Sequence, residues 1–157
     1  MSSKGEIIGA EARPKKKLAV VTCMDTRLVN FLNEKMGLER GDAKVIKNAG
    51  NIITEDALRS LVVAIYCLGA EKIAIVGHTD CGMAGADTAE IKKEMIRRGA
   101  NPYFTTDFDA WIGKMDDEEE NVKRGVELVK NHPAIPKDVE VEGLIIDIVT
   151  GEITKLV

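Results

Sequence analysis

An α/β fold, with a central parallel sheet of about four strands flanked by helices and a C-terminal antiparallel edge strand, is predicted by three observations. Short apolar runs rich in β-branched residues recur at 18–22, 43–47 and 72–76; a helical pattern follows each; and the chain closes on two further strand-like runs flanking a tight turn. Right-handed crossovers make such strands parallel and bring their carboxyl ends to one edge of the sheet, where ligands bind.

Taken in order, residues 1–16 read as a flexible polar leader and residues 17–157 as one domain, with the basic triplet Lys15, Lys16 and Lys17 at their junction read as solvated surface. The run LAVVT at 18–22 has the composition of a strand buried on both faces. Leu28, Phe31, Leu32 and Met36 then fall on one helical stripe that ends near Gly37. AKVIK at 43–47 is a second strand, closed by the turn-forming Asn48, Ala49, Gly50 and Asn51. Thr54 caps the next helix, Glu55 and Asp56 suit the positive end of its dipole, and Gly69 stands at its end. Between them residues 58–68 are apolar almost all round, so this helix is expected to be covered by its own domain or by another subunit, with Cys67 in the core.

KIAIV at 72–76 is the third strand, and helices are expected at 88–98 and 116–130. The acidic run from Asp116 to Glu120 lies at the start of the last helix and reads as dipole complementarity. GLIIDIV at 143–149 and EITKL at 152–156 flank Thr150 and Gly151 as the closing strand pair.

Composition narrows the function. With 22 Lys and Arg against 26 Asp and Glu the net charge is −4, which gives no overall attraction to nucleic acid or anionic lipid. The 45% of hydrophobic residues and 31% of charged ones are those of a chain that builds a core. No apolar run approaches the ~20 residues of a bilayer span, and the N-terminal residues are polar, so a soluble cytoplasmic protein is expected. There is no GxxxxGK[ST] loop and no GxGxxG after a strand. Tyr103, Phe104 and Trp111 are too few for a stacking platform, and His132 is expected to be exposed in a polar loop.

Cys23 lies just past the first strand, while His78 and Cys81 lie just past the third, so three soft or borderline ligands leave the sheet at one edge. Zn²⁺ takes cysteine sulfur and histidine nitrogen, and catalytic sites commonly supply three protein ligands and leave a fourth position for water. The competing reading has two small core cysteines and a hydrogen-bonded turn histidine; convergence on one edge favours the metal. Asp25 and Arg27 share the Cys23 loop. They are either a surface ion pair or, beside a metal, a dyad in which Arg27 keeps Asp25 ionised and Asp25 orients a bound nucleophile. Asp25 as a fourth ligand would instead close the site. Asn48 to Asn51 and Gly77 either bring backbone close to this edge or serve as ordinary turn residues.

These residues resemble those of the β-class carbonic anhydrases, most closely the compact prokaryotic and archaeal branch. The likeness rests on Cys23-Met24-Asp25-Thr26-Arg27, on Lys47-Asn48-Ala49-Gly50-Asn51, on His78-Thr79-Asp80-Cys81-Gly82-Met83 and on Gly143-Leu144-Ile145-Ile146-Asp147. It implies one Zn²⁺ per subunit held by Cys23, His78 and Cys81, an Asp25–Arg27 dyad, and a homodimer or higher homo-oligomer with sites at the subunit interface. The implied reaction is the reversible hydration of CO₂ to bicarbonate and a proton by hydroxide generated on the metal. Glu142 stands where relatives often carry a histidine, and about sixteen residues precede the first strand where many family members have a longer helical arm.

Two thiolates and a neutral imidazole cancel the charge of Zn²⁺. Ionising a bound water is then harder than at an all-histidine site, where its pKa is ~7, so activity is expected to rise above neutral pH. Two alternatives stand beside this: hydrolysis of carbonyl sulfide or carbon disulfide at the same site, and a non-catalytic zinc or redox-sensing module closed by Asp25.

Overall fold

The structure is a computed structural model that describes residues 12–157. Five strands, β1 (Leu18–Cys23), β2 (Ala43–Asn48), β3 (Lys72–His78), β4 (Glu140–Ile146) and β5 (Ile153–Lys155), form one sheet in the order β2-β1-β3-β4-β5. The first four are parallel, and β5 runs antiparallel to β4. Cys23 aligns with Asn48, and His78 with Ile146. Both are therefore the last residues of their strands, and the ladders that hold the strands hold them too.

Two apolar layers sandwich the sheet because successive strand side chains point to opposite faces. On one face Ala19, Val21, Ile73 and Ile75 pack against α2 (Glu55–Tyr66) and α5 (Glu118–Asn131), through Leu58, Leu61, Val122, Val126 and Val129. On the other, Val20, Ala74, Val76, Leu144 and Ile146 pack with Leu28 and with Leu32 of α1 (Phe31–Met36). Ile73, Ile75 and Ile146 are fully buried, and each such side chain contributes about 1.5–3 kcal/mol. Thr54 Oγ1 accepts the Ala57 N–H and Asp117 Oδ1 that of Glu120, so α2 and α5 start on side-chain caps.

Several local expectations are corrected. The stripe from Leu28 to Met36 is not one helix. Asp25 Oδ1 accepts the Arg27 N–H at 2.8 Å, a tight 3-10 turn covers Thr26–Leu28, and Asn30 at φ +65° separates it from α1. A side-chain bond to nearby backbone has displaced the helical one. β4 begins three residues earlier than expected, where Glu140 pairs with Lys72 of β3, and ends three residues earlier, where Asp147 Oδ1 accepts the N–H groups of Val149 and Thr150 and bends the chain away. The short helix α4 (Phe108–Ile112) and the 3-10 turn Pro102–Phe104 are additional, capped by Asp107 and Asn101. The predicted helix at 88–98 is α3 (Thr88–Arg97), capped by Asp87.

Cys67 is exposed rather than buried, since α2 ends at Tyr66 and points its core face through Ala57, Leu58, Leu61 and Ala64. In the single chain Val63 and Tyr66, on the other side of α2, are uncovered. His132 is half-buried, and its Nδ1 accepts the Ala134 N–H. Residues 1–11 of the expected leader lie outside the described residues; Lys15 and Lys16 donate their backbone N–H groups to Gly41 and Asp42 at 2.9 Å. Among the described residues, no helix is long and apolar enough to cross a membrane.

Candidate metal centre

β1 delivers Cys23 to the carboxyl edge of the sheet and β3 delivers His78. The bend after β3 returns Cys81 beside them. The two sulfurs and one ring nitrogen lie within 4.8 Å of one another, and all three residues are buried. His78 Nδ1 faces the Thr79 carbonyl at 2.8 Å. A carbonyl only accepts, so Nδ1 carries the proton and Nε2 is left to face the sulfurs. That Nε2 is buried with no hydrogen-bond partner. A buried nitrogen without a partner costs free energy, and a cation that accepts its lone pair removes that cost. The donor set of two sulfurs and one imidazole fits a zinc-like ion.

The electrostatics of the protein atoms prepare one thiolate. The neighbouring Cys81 thiol above all, then the His78 ring and the Gly50 amide, pull the Cys23 pKa well below the usual thiol range against the opposing effect of burial. Cys81 moves the opposite way, its pKa raised by the nearby Cys23 sulfur and by burial. For His78, burial acts against charge, but the neighbouring Cys23 sulfur, the Thr79 carbonyl bonded to Nδ1 and the charge of Asp25 outweigh it and raise its pKa. Gly50 sits at φ +81°, a conformation that favours glycine, and aims its N–H at Cys23 Sγ from 3.4 Å. A Cβ there would come within 2.7 Å of Met115 Cε.

Arg27 meets Asp25 edge on, with Nε donating to Oδ1 at 3.0 Å and Nη2 to Oδ2 at 2.7 Å. This holds the Asp25 pKa down at about 2. The same guanidinium donates to Asp80 Oδ2 at 3.0 Å and to the Asp80 carbonyl at 2.9 Å, and its pKa is raised by Asp25 first and Asp80 second. Asp25 Oδ2 lies 3.7 Å from His78 Nε2. A cavity of about 470 Å³ opens beside this group, with Met24, Thr26, Ala49, Gly82 and Met83 on its walls.

All five residues singled out from the sequence are thus brought together. Sequence reasoning missed three others. Asp80 is Arg27's second partner, Glu118 Oε1 accepts the Cys81 N–H at 3.2 Å, and Asn121 Nδ2 donates to the Gly50 carbonyl at 2.9 Å. Glu118 was visible only as one carboxylate in an acidic run, and Asn121 lies one helical turn beyond it on the same face. Glu142 and His132 stand away from the site. Glu142 pairs in register with Ala74, four residues back from the strand end, and bonds Lys72 at 3.1 Å. His132 is at the far end of α5 from Glu118.

Comparison with known proteins agrees with this geometry. A family model described as carbonic anhydrase matches residues 18–153. YvdA of Bacillus subtilis, which carries a provisional carbonic anhydrase name, is 43% identical over 150 residues, covering 89% of this chain and 76% of its own. A carbon disulfide hydrolase of Acidithiobacillus thiooxidans is 37% identical over 153 residues, covering 88% of this chain and 76% of the relative. Among solved structures, the β-carbonic anhydrase isoform I of Trichomonas vaginalis superposes with a TM-score of 0.89 at 37% identity, over 100% of this chain and 98% of that one. With the family's pattern running over residues 18–153 and its fold reproduced at a TM-score of 0.89, the chain belongs to the β-carbonic anhydrases.

Proposed function

We propose that this protein catalyses the reversible hydration of CO₂ to bicarbonate and a proton at a Zn²⁺ ion held by Cys23 Sγ, His78 Nε2 and Cys81 Sγ. The observation that carries the reading is the buried cluster of these three atoms within 4.8 Å, with Nε2 otherwise unpartnered. The ion would lower the pKa of a water and stabilise negative charge developing on CO₂ oxygen.

The protein's own residues do the rest. Asp25, kept ionised by Arg27, accepts a hydrogen bond from the attacking water and aims its lone pair at CO₂. Arg27 is itself anchored on Asp80, so the dyad keeps its direction while substrate and product exchange. Both Asp25 oxygens are already engaged by Arg27, which supports an open site over one that Asp25 closes. Two thiolates offset the charge of the ion, so activity rises above neutral pH.

The carbon disulfide hydrolase likeness favours a second reading, in which the same water attacks carbon disulfide or carbonyl sulfide. The position of Arg27, whose side chain is 46% exposed at the site, supports rapid aqueous exchange and hence CO₂. Stopped-flow CO₂ hydration and sulfide release, assayed in parallel on one metal-quantified preparation, decide between them; hydration at the higher rate is expected.

The reading includes assembly into a homodimer or higher oligomer in the cytoplasm. Val63 and Tyr66 on α2, with Phe104 and Trp111 at 52% and 60% exposure, offer apolar surface for a second copy. Sedimentation at micromolar concentration tests this, with a mass of at least two chains expected.

A further inference from the structure

The first turns of α5 touch the Cys81 bend directly and face Cys23 and His78 through Gly50 and Gly77. Glu118 Oε1 accepts the backbone N–H of Cys81 at 3.2 Å. Asn121 Nδ2 donates to the carbonyl of Gly50 at 2.9 Å, and the N–H of that same glycine points at Cys23 Sγ from 3.4 Å. The next residue, Val122, packs against Gly77, leaving no room there for a Cβ, which would lie 2.6 Å from Val122 Cγ2. Gly77 immediately precedes His78. Of the glutamates in this turn, Glu119 and Glu120 are exposed while Glu118 is half-buried against the Cys81 loop, and Asn121 is 8% exposed.

We propose that Glu118 and Asn121 are positioning residues for the metal: from one helix face they set the placement of the Cys81 bend and of the Gly50 loop that faces the Cys23 sulfur, which the sheet brings to one edge but does not itself join. This deepens the zinc reading above and rests on it. A peptide N–H held by a carboxylate keeps the Cys81 bend from rotating and so fixes the direction of its Cα–Cβ bond. Asn121 acts through Gly50, whose amide withdraws electron density from the Cys23 sulfur and so makes a bound cation a stronger Lewis acid. Glu118 needs only an acceptor oxygen for this role, not a charge. Glutamine supplies that oxygen and alanine does not.

The test uses full-length protein with Glu118→Ala, Glu118→Gln, Asn121→Ala and, as a surface control, Glu119→Ala. Zinc is competed against a chelator at fixed pH, the sulfur-to-metal and d–d absorption bands are recorded after loading with cobalt(II), and thermal unfolding is followed on the same samples. Glu118→Ala and Asn121→Ala are expected to weaken metal retention by about 10–100-fold and to shift the cobalt bands. Glu118→Gln and Glu119→Ala should match the parent. Folded Glu118→Ala and Asn121→Ala proteins with the parent's competition curve and spectrum would overturn the proposal, as would Glu118→Gln behaving like Glu118→Ala. If Asn121→Ala fails to fold, the Glu118 pair decides. A parent that takes up no metal overturns the zinc reading and this inference together, whereas a loaded, active parent with indifferent variants removes only the latter.

Discussion

The guanidinium of Arg27 engages both oxygens of Asp25, at 3.0 and 2.7 Å, only two residues along the chain. So short a separation closes a bidentate pair because the intervening Thr26 begins a 3-10 turn and Asp25 also accepts the Arg27 backbone N–H. Asp25 is thereby held ionised with one orientation, next to the unpartnered nitrogen of His78.

The first prediction concerns this pair. Asp25→Ala and Arg27→Ala should each lower CO₂ hydration by about 10–100-fold while zinc content per chain stays at the parental value. Stopped-flow rates with elemental analysis of the same samples check it; loss of the metal in either variant would mean that the pair holds the ion rather than orienting water.

Replacing a donor atom should act differently. Cys23→Ser, His78→Ala and Cys81→Ser are expected to weaken zinc binding by more than about 100-fold, beyond the range for supporting residues, and to abolish hydration. Chelator-stripped parent should lose activity in the same way and regain it on adding zinc. Unchanged metal stoichiometry in any of the three variants would remove that residue from the ligand set.

A third outcome follows from packing. Gly77→Ala would place a methyl group 2.6 Å from Val122 Cγ2 between β3 and α5, and overpacking of this kind costs about 1–3 kcal/mol. Urea unfolding should show that loss, and pairing the change with Val122→Ala should recover part of it.

The pH dependence of stability can be read at Asp147. Its pKa is lowered by the backbone N–H of Thr150, then by that of Val149, so the folded state binds a proton less readily than the unfolded one. The resulting stabilisation is present above the ordinary carboxylate pKa and is lost as pH falls through the lowered folded value. Asp147→Ala should therefore reduce stability at neutral pH, and the gap from the parent should narrow in strong acid. Denaturant midpoints at both pH values measure it; a gap that widens in acid would contradict the sign.

Much of this was legible in the chain. β-branched runs followed by helical stripes identify three parallel strands, and ligand types at the ends of the first and third place Cys23, His78 and Cys81 at a common edge before any coordinate is known. Local competition was harder to see. The stripe from Leu28 to Met36 has helical periodicity, yet Asp25 bonds nearby backbone and Asn30 turns to φ +65°. Periodicity measures which side chains can share a face, and it does not weigh a turn against a helix. Cys67 looked like core because its neighbours are apolar, and it is exposed because the helix stops one residue before it.

Residue types and their spacing along the chain determined the α/β class, the parallel core of the sheet and the meeting of Cys23, His78 and Cys81 at one edge, because strand alternation and strand ends are local properties of a chain. Only the tertiary structure decided that Asp80 grips Arg27, that Glu118 rather than its acidic neighbours meets Cys81, and that Asn121 reaches Gly50 from 71 positions away. Those contacts join segments whose approach is set by the pairing of β1 with β3 and by how α5 packs on the sheet, and no pattern within any one segment encodes the distance to another.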